Sequence, residues 1–177
     1  MTRLPVLPTL TVASVLAILG GQAIVAQPQD KYTVRVPDGL AFSDFRGYEN
    51  WQVVAVSQTE ELLKVMVANP TMIDAYQAGV PGNGKAFPDG SRIAKIMWTR
   101  RKGVDSPAAV PGSLKHVDFI ARDGRRFAET GGWGYAQFNY DPASARFTPD
   151  GTGVACGHAC HTAVKAKDYI FTPYEER

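Results

Sequence analysis

Near its C-terminal end the chain reads Ala155-Cys156-Gly157-His158-Ala159-Cys160-His161, and it has two cysteines in all. Two cysteines closing on a Cys-His pair make the attachment site of a c-type haem. Both sulfurs add to the porphyrin vinyl groups, and the following histidine ligates the iron. The usual spacer is two residues; here it is three. A helix turns about 100° per residue, so a three-residue step falls about 60° short of a full turn and a four-residue step passes it by about 40°. Either step keeps both sulfurs on one helix face, so the longer spacer is geometrically tolerable. Cys156 and Cys160 then attach the haem and His161 ligates its iron. Two other uses of these residues stay open at this point. In an oxidising compartment the thiols can close a small disulfide. The cysteines with His158 and His161 also offer four zinc donors, although such close packing strains a tetrahedral site. His158, inside the spacer, is expected to be solvated or locally hydrogen-bonded.

The opposite end of the chain fits an exported protein. Residues 1–26 carry one positive charge at Arg3, an apolar run at 12–19, then Gly20-Gly21 and small residues up to Ala26, the pattern of a secretory signal peptide. In a bacterium the destination is the periplasm. The apolar run is short for a bilayer span, and no other stretch approaches about 18 apolar residues. Residues 27–177 are about 150 in number, the size of one domain. With 19 Lys plus Arg against 17 Asp plus Glu, the chain has no concentrated basic stripe for nucleic acid. Arg100-Arg101-Lys102, the densest basic run, reads as a solvated turn.

The mature chain reads as a β-rich α+β fold: a mostly antiparallel sheet with short helices and a C-terminal haem c attachment segment. Strands are expected at 53–57, 62–68, 93–99, 116–121 and 133–140. A helix starts at Asn69-Pro70-Thr71, carries Met72, Ala75 and Tyr76 at helical spacing, and stops at Gly79. A polar loop is expected through Pro111-Gly112, and Asp123-Gly124 is a strong turn signal. Strands at such intervals favour antiparallel pairing over parallel crossovers. Gly79-Val80-Pro81-Gly82-Asn83-Gly84-Lys85 has the glycine and lysine spacing of a phosphate loop. However, Ala86 stands where a hydroxyl must hold magnesium, and the run follows a helix rather than a strand, so it reads as a turn.

Two charged residues inside expected strands are candidates for chemistry. Lys95 has apolar neighbours on either face of its strand, Ile93 and Met97 on one and Ala94 and Ile96 on the other. Burial disfavours a charged amine, and a neutral amine is a nucleophile; the alternative is a lysine that snorkels to solvent at the sheet edge. Asp118 lies between Val117 and Phe119 and shares a face with His116 and Ile120. A carboxylate facing a haem pocket can move protons, whereas one on the outer face of a half-buried strand is solvated.

The run Phe87-Pro88-Asp89-Gly90-Ser91-Arg92-Ile93-Ala94-Lys95, the run Asp118-Phe119-Ile120-Ala121-Arg122-Asp123 with Arg126-Phe127, Gly132-Trp133, and Cys160-His161 with Asp168-Tyr169-Ile170-Phe171-Thr172 together resemble the cytochrome P-460 family. The likeness spans nearly all of the mature chain. It implies a periplasmic antiparallel β domain, a homodimer, and a five-coordinate haem c near the C-terminus. It also implies a lysine bonded covalently to the porphyrin edge, with Lys95 at the matching position, and Asp118 where a family member has a distal glutamate that assists proton transfer. The implied activity is oxidation of hydroxylamine, with electrons passed to a small c-type cytochrome or other acceptor. Related cytochromes c′-β share the fold without the lysine bond and bind nitric oxide, which leaves a gas-binding protein as the alternative. An ordinary electron carrier fits less well. Met66, Met72 and Met97 all precede the haem motif, so none follows it to complete six-coordination, and they read as core residues.

Overall fold

Runs rich in β-branched and aromatic residues from position 52 onward build a single antiparallel sheet. The computed structural model describes residues 28–175 apart from 38, 151 and 152; the side chains of residues 153 and 156, and the expected signal segment at 1–26, lie outside the described residues. Six strands follow one another in chain order, each antiparallel to the next: β1 (Gln52–Gln58), β2 (Leu62–Ala68), β3 (Arg92–Lys102), β4 (Ala109–Arg122), β5 (Trp133–Asp141) and β6 (Arg146–Pro149). Helix α1 (Pro70–Gln77) fills the β2–β3 connection, and α2 (Gly153–His161) follows β6. The expected β-rich α+β class is therefore the observed one.

Helix α1 has its expected boundaries for identifiable reasons. The Asn69 side chain accepts from the Met72 amide at 3.2 Å, and Pro70 occupies the first helical position, where a missing N–H costs nothing. Gly79, at φ +87°, closes the turn. The glycine-lysine run beyond it is a turn after a helix, with the Asn83 side chain donating to the Ala78 carbonyl at 2.9 Å.

Strands β3 and β4 are longer than their alternation suggests. Residues 100–102 are the exposed end of β3, not a turn, and Pro111-Gly112 lie inside β4, not in a loop. Strand β4 pairs with β5 only from His116 onward, so residues 109–115 have a neighbouring strand on one side alone. A proline is tolerated at such an edge, and the β3–β4 register shifts on both sides of Trp98. A Cβ on Gly112 would lie 2.4 Å from Thr99 Oγ1, so only glycine fits there. Strand β6 has no counterpart in the sequence reading: it is four residues long, with Phe147 as its one buried side chain.

The two faces of the sheet carry different layers. Val67, Ala94, Val117, Phe119, Ala136 and Phe138 form the first face, covered by Phe42 and Phe45 of the 3-10 turn Phe42–Phe45 and by Tyr48. Phe45 stacks on Phe119 with centroids 4.0 Å apart, and Phe42 meets Phe119 edge-on at 5.0 Å. Each fully buried side chain of this size contributes about 1.5–3 kcal/mol, so this aromatic cluster is the principal anchor of the sheet. On the second face Met66, Ile93, Trp133 and Tyr135 pack with α1, Phe87 and Ile170. Met66, Met72 and Met97 are all buried, as expected. Among the described residues no helix is long and apolar enough to cross a membrane.

Candidate functional site

Strand register builds a polar row into the second face. Met66 pairs with Lys95, Lys95 with Asp118, and Asp118 with Gln137, so the four residues lie side by side across β2, β3, β4 and β5. Direct cross-strand neighbours have Cβ atoms about 4.5–5.5 Å apart, which forces the amine and carboxylate together. Lys95 Nζ lies 2.5 Å from Asp118 Oδ2. The other oxygen, Asp118 Oδ1, is buried without a hydrogen-bond partner, and His116 Nε2 approaches it at 3.6 Å. The lysine side chain is 39% exposed and the aspartate 19%, so solvent reaches the pair from the lysine side and its Coulombic contribution is about 1 kcal/mol or less.

Helix α2 and the segment after it arch over this row and bound a partly open cavity of about 420 Å³, within the range of small-molecule and cofactor sites. The sheet side of the cavity presents Met66, Lys95, Asp118 and Gln137; Gly157, Cys160 and His161 of α2 face them, with Tyr135, Ile170 and Phe171 between. The helix can sit this close because of Gly157. A Cβ there would fall 2.4 Å from Tyr135 Cβ and 2.5 Å from its Cγ, atoms at the root of a side chain that cannot swing aside.

His161 is held in one orientation. Its Nδ1 donates to the Tyr169 carbonyl at 2.5 Å, and its ring lies between Tyr135 and Phe171, with centroids 5.0 Å from each. With Nδ1 committed, Nε2 is the nitrogen left for a metal, the arrangement by which an outer carbonyl fixes the tautomer of a ligating histidine. Burial holds the His161 pKa below the ordinary histidine value, partly opposed by the Tyr169 carbonyl, which favours the neutral, ligand-competent ring. The carbonyl itself comes from an unusual turn. Asp168 and Tyr169 have φ of +50° and +62°, conformations that cost non-glycine residues about 1–3 kcal/mol each.

Of the sequence-predicted residues, Lys95, Asp118, Cys160 and His161 come together around one cavity. Cys156 lies on the same helix, with its side chain outside the described residues. His158 departs from expectation: its ring packs 5.3 Å from that of Tyr169, and its Nδ1 is buried without a partner instead of solvated or hydrogen-bonded. Tyr135 and Gln137 were not identified as site residues by sequence reasoning. The available signal was their place in β5, opposite Ile120 and Asp118. Burial raises the Tyr135 pKa, and its hydroxyl, like Asp118 Oδ1, is buried without a partner. Asp118, Tyr135 and Gln137 form one wall of a largely apolar cavity. Together with a half-buried histidine whose outer nitrogen is already bonded and a cysteine on the facing helix, they fit a haem.

A family model described as Cytochrome P460 matches residues 45–172, from the last residue of the Phe42–Phe45 turn to the cavity segment beyond His161. Comparison with curated proteins found no match.

Proposed function

This chain belongs to the cytochrome P460 family and is a haem c protein, and from that premise we propose that it oxidises hydroxylamine and passes the electrons to a small c-type cytochrome or similar acceptor. The observation that carries the reading is the Lys95–Asp118 pair in the cavity that His161 also lines. The three side chains proposed as bonding amine, proton acceptor and iron ligand line the same cavity.

In this proposal Cys156 and Cys160 would attach the haem by thioether bonds, His161 would hold the iron through Nε2, and Lys95 Nζ would be bonded to the porphyrin edge, one N–H and one porphyrin C–H being lost with two electrons to an external oxidant. When bound, the haem supplies an iron that takes up electrons from the substrate and a macrocycle whose potential its surroundings tune. Asp118 would accept the protons that hydroxylamine loses, one at a time, as a positioned general base. The apolar side chains of Met66, Ile93 and Ile170 favour a small uncharged ligand. Export to the periplasm and assembly as a homodimer complete the reading.

The test is hydroxylamine-dependent reduction of an external acceptor by the haem-loaded protein, compared with Lys95→Leu and Asp118→Leu. Leucine at 95 keeps apolar volume and deletes the amine. Its haem spectrum is expected to become that of ordinary haem c, with turnover lost and nitric oxide binding kept. Leucine at 118 is expected to keep the wild-type spectrum and lose about 10²–10⁴ in rate. A wild-type rate in the Asp118 variant refutes its proton role. A wild-type protein that binds nitric oxide tightly and never turns over hydroxylamine is a gas-binding protein instead.

A further inference from the structure

The Tyr169 carbonyl that accepts from His161 Nδ1 belongs to a left-handed pair, Asp168 and Tyr169. Two such L residues in succession do not hold themselves in place, so something outside the turn must fix them. We infer that Arg122 and Asp168 are positioning residues for the iron ligand: they lock this turn and so aim the Tyr169 carbonyl at His161. The inference rests on the reading of His161 as that ligand.

Three contacts converge on the Asp168 carboxylate. Arg122 Nη1 lies 3.1 Å from Oδ1 and 3.3 Å from Oδ2, and the Phe87 amide donates to Oδ2 at 2.8 Å. The same Arg122 nitrogen donates to the Gly131 carbonyl at 3.1 Å, and the guanidinium lies over the Trp133 ring. Arg122 is the last residue of β4, so the turn is tied to the sheet and, through Phe87, to the strap that enters β3. The side chains are 16% and 12% exposed, leaving little water to compete for these charge-assisted bonds. The Tyr169 ring is seated on the backbone of Gly131, where a Cβ would come 2.4 Å from it.

The chemistry that follows concerns the ligand's donor strength. A histidine that donates its outer N–H to a fixed acceptor is more basic toward the metal and is held in one orientation. If the turn relaxes, that bond lengthens and the iron–nitrogen bond weakens. A merely structural ion pair would lower stability and leave the iron–nitrogen bond alone, which separates the two roles.

The experiment is resonance Raman spectroscopy of the ferrous, haem-loaded protein, read at the iron–histidine stretching band, with the ferric–ferrous midpoint potential as companion. Asp168→Asn removes the charge while placing a residue that tolerates positive φ, and Arg122→Leu removes the other partner. Both are expected to move the band to lower frequency and the potential upward. Arg122→Lys, which keeps the charge without the planar fork, is expected to lie between them and the wild type. Arg126→Leu is the control, because Arg126 donates to the Gly39 carbonyl and pairs with Asp44 elsewhere on the fold; it should leave the band in place. A wild-type band in folded Asp168→Asn and Arg122→Leu overturns the inference, as does an equal shift in the Arg126 control. If Asp168→Asn fails to take up haem, the Arg122→Lys band decides alone. A wild-type protein with no iron–histidine band removes His161 as the ligand, and the inference falls with that reading.

Discussion

Replacing Gly157 with alanine tests how closely α2 is seated on the sheet. Alanine is the better helix former by about 1 kcal/mol, so an unconstrained helix would gain stability from the change. Here the new methyl carbon would lie 2.4 Å from Tyr135 Cβ, while ordinary contact begins near 3.4 Å, so α2 or β5 must yield by about 1 Å. Overpacking of this kind costs about 1–3 kcal/mol, which outweighs the propensity gain and leaves a net loss of up to about 2 kcal/mol. For a domain of this size the upper limit lowers the melting temperature by about 4–8 °C. Thermal unfolding of the haem-loaded protein measures it, with Ala159→Gly as comparison. Ala159 is on the same helix but exposed, so that variant loses about 1 kcal/mol of propensity without disturbing Tyr135. A Gly157→Ala protein that melts above the wild-type temperature would show that α2 does not rest on Tyr135 and that the cavity is not shaped as described.

Two further outcomes are expected. Phe119→Ala, which empties the centre of the aromatic cluster on the first face, is expected to cost about 3–5 kcal/mol in urea unfolding; a loss under about 1 kcal/mol would refute the role of that cluster. His116 is held below the ordinary histidine value of 6.5, chiefly by burial, against the pull of the Asp118 carboxylate. Below that value the unfolded chain takes up a proton at position 116 that the native chain does not, so this contribution to stability falls as pH falls. His116→Gln should therefore flatten part of the decline in unfolding midpoint between about pH 7 and pH 5, and an unchanged slope would contradict the burial argument.

The apolar runs of β1 and β2, the alternation of β5 and the cap of α1 were legible in the sequence because each depends on neighbours in the chain. Lys95 and Asp118 were identifiable as misfits in apolar strands. Their meeting was not, because it depends on a β3–β4 register that no local pattern states. The strand at 109–115 was hidden by Pro111 and Gly112, which read as loop until the missing neighbour on that side of β4 is known. Tyr135 looked like one more large residue in an alternating strand, since what sets it apart is a helix laid across it from the end of the chain. His158 looked solvated for the same reason. The tie from Arg122 to Asp168 spans 46 positions, and no spacing rule reaches that far.

In the reading proposed above, one haem is held by Cys156, Cys160 and His161 and bonded to Lys95. Mass spectrometry of the purified protein before and after tryptic digestion tests it most directly. The expected result is an intact chain heavier by one haem, and a digest in which the peptide carrying Lys95 remains joined to the haem-bearing peptide from α2. A haem-bearing α2 peptide found together with a free, unmodified Lys95 peptide would contradict the lysine bond, and a chain with no haem mass would contradict the whole account.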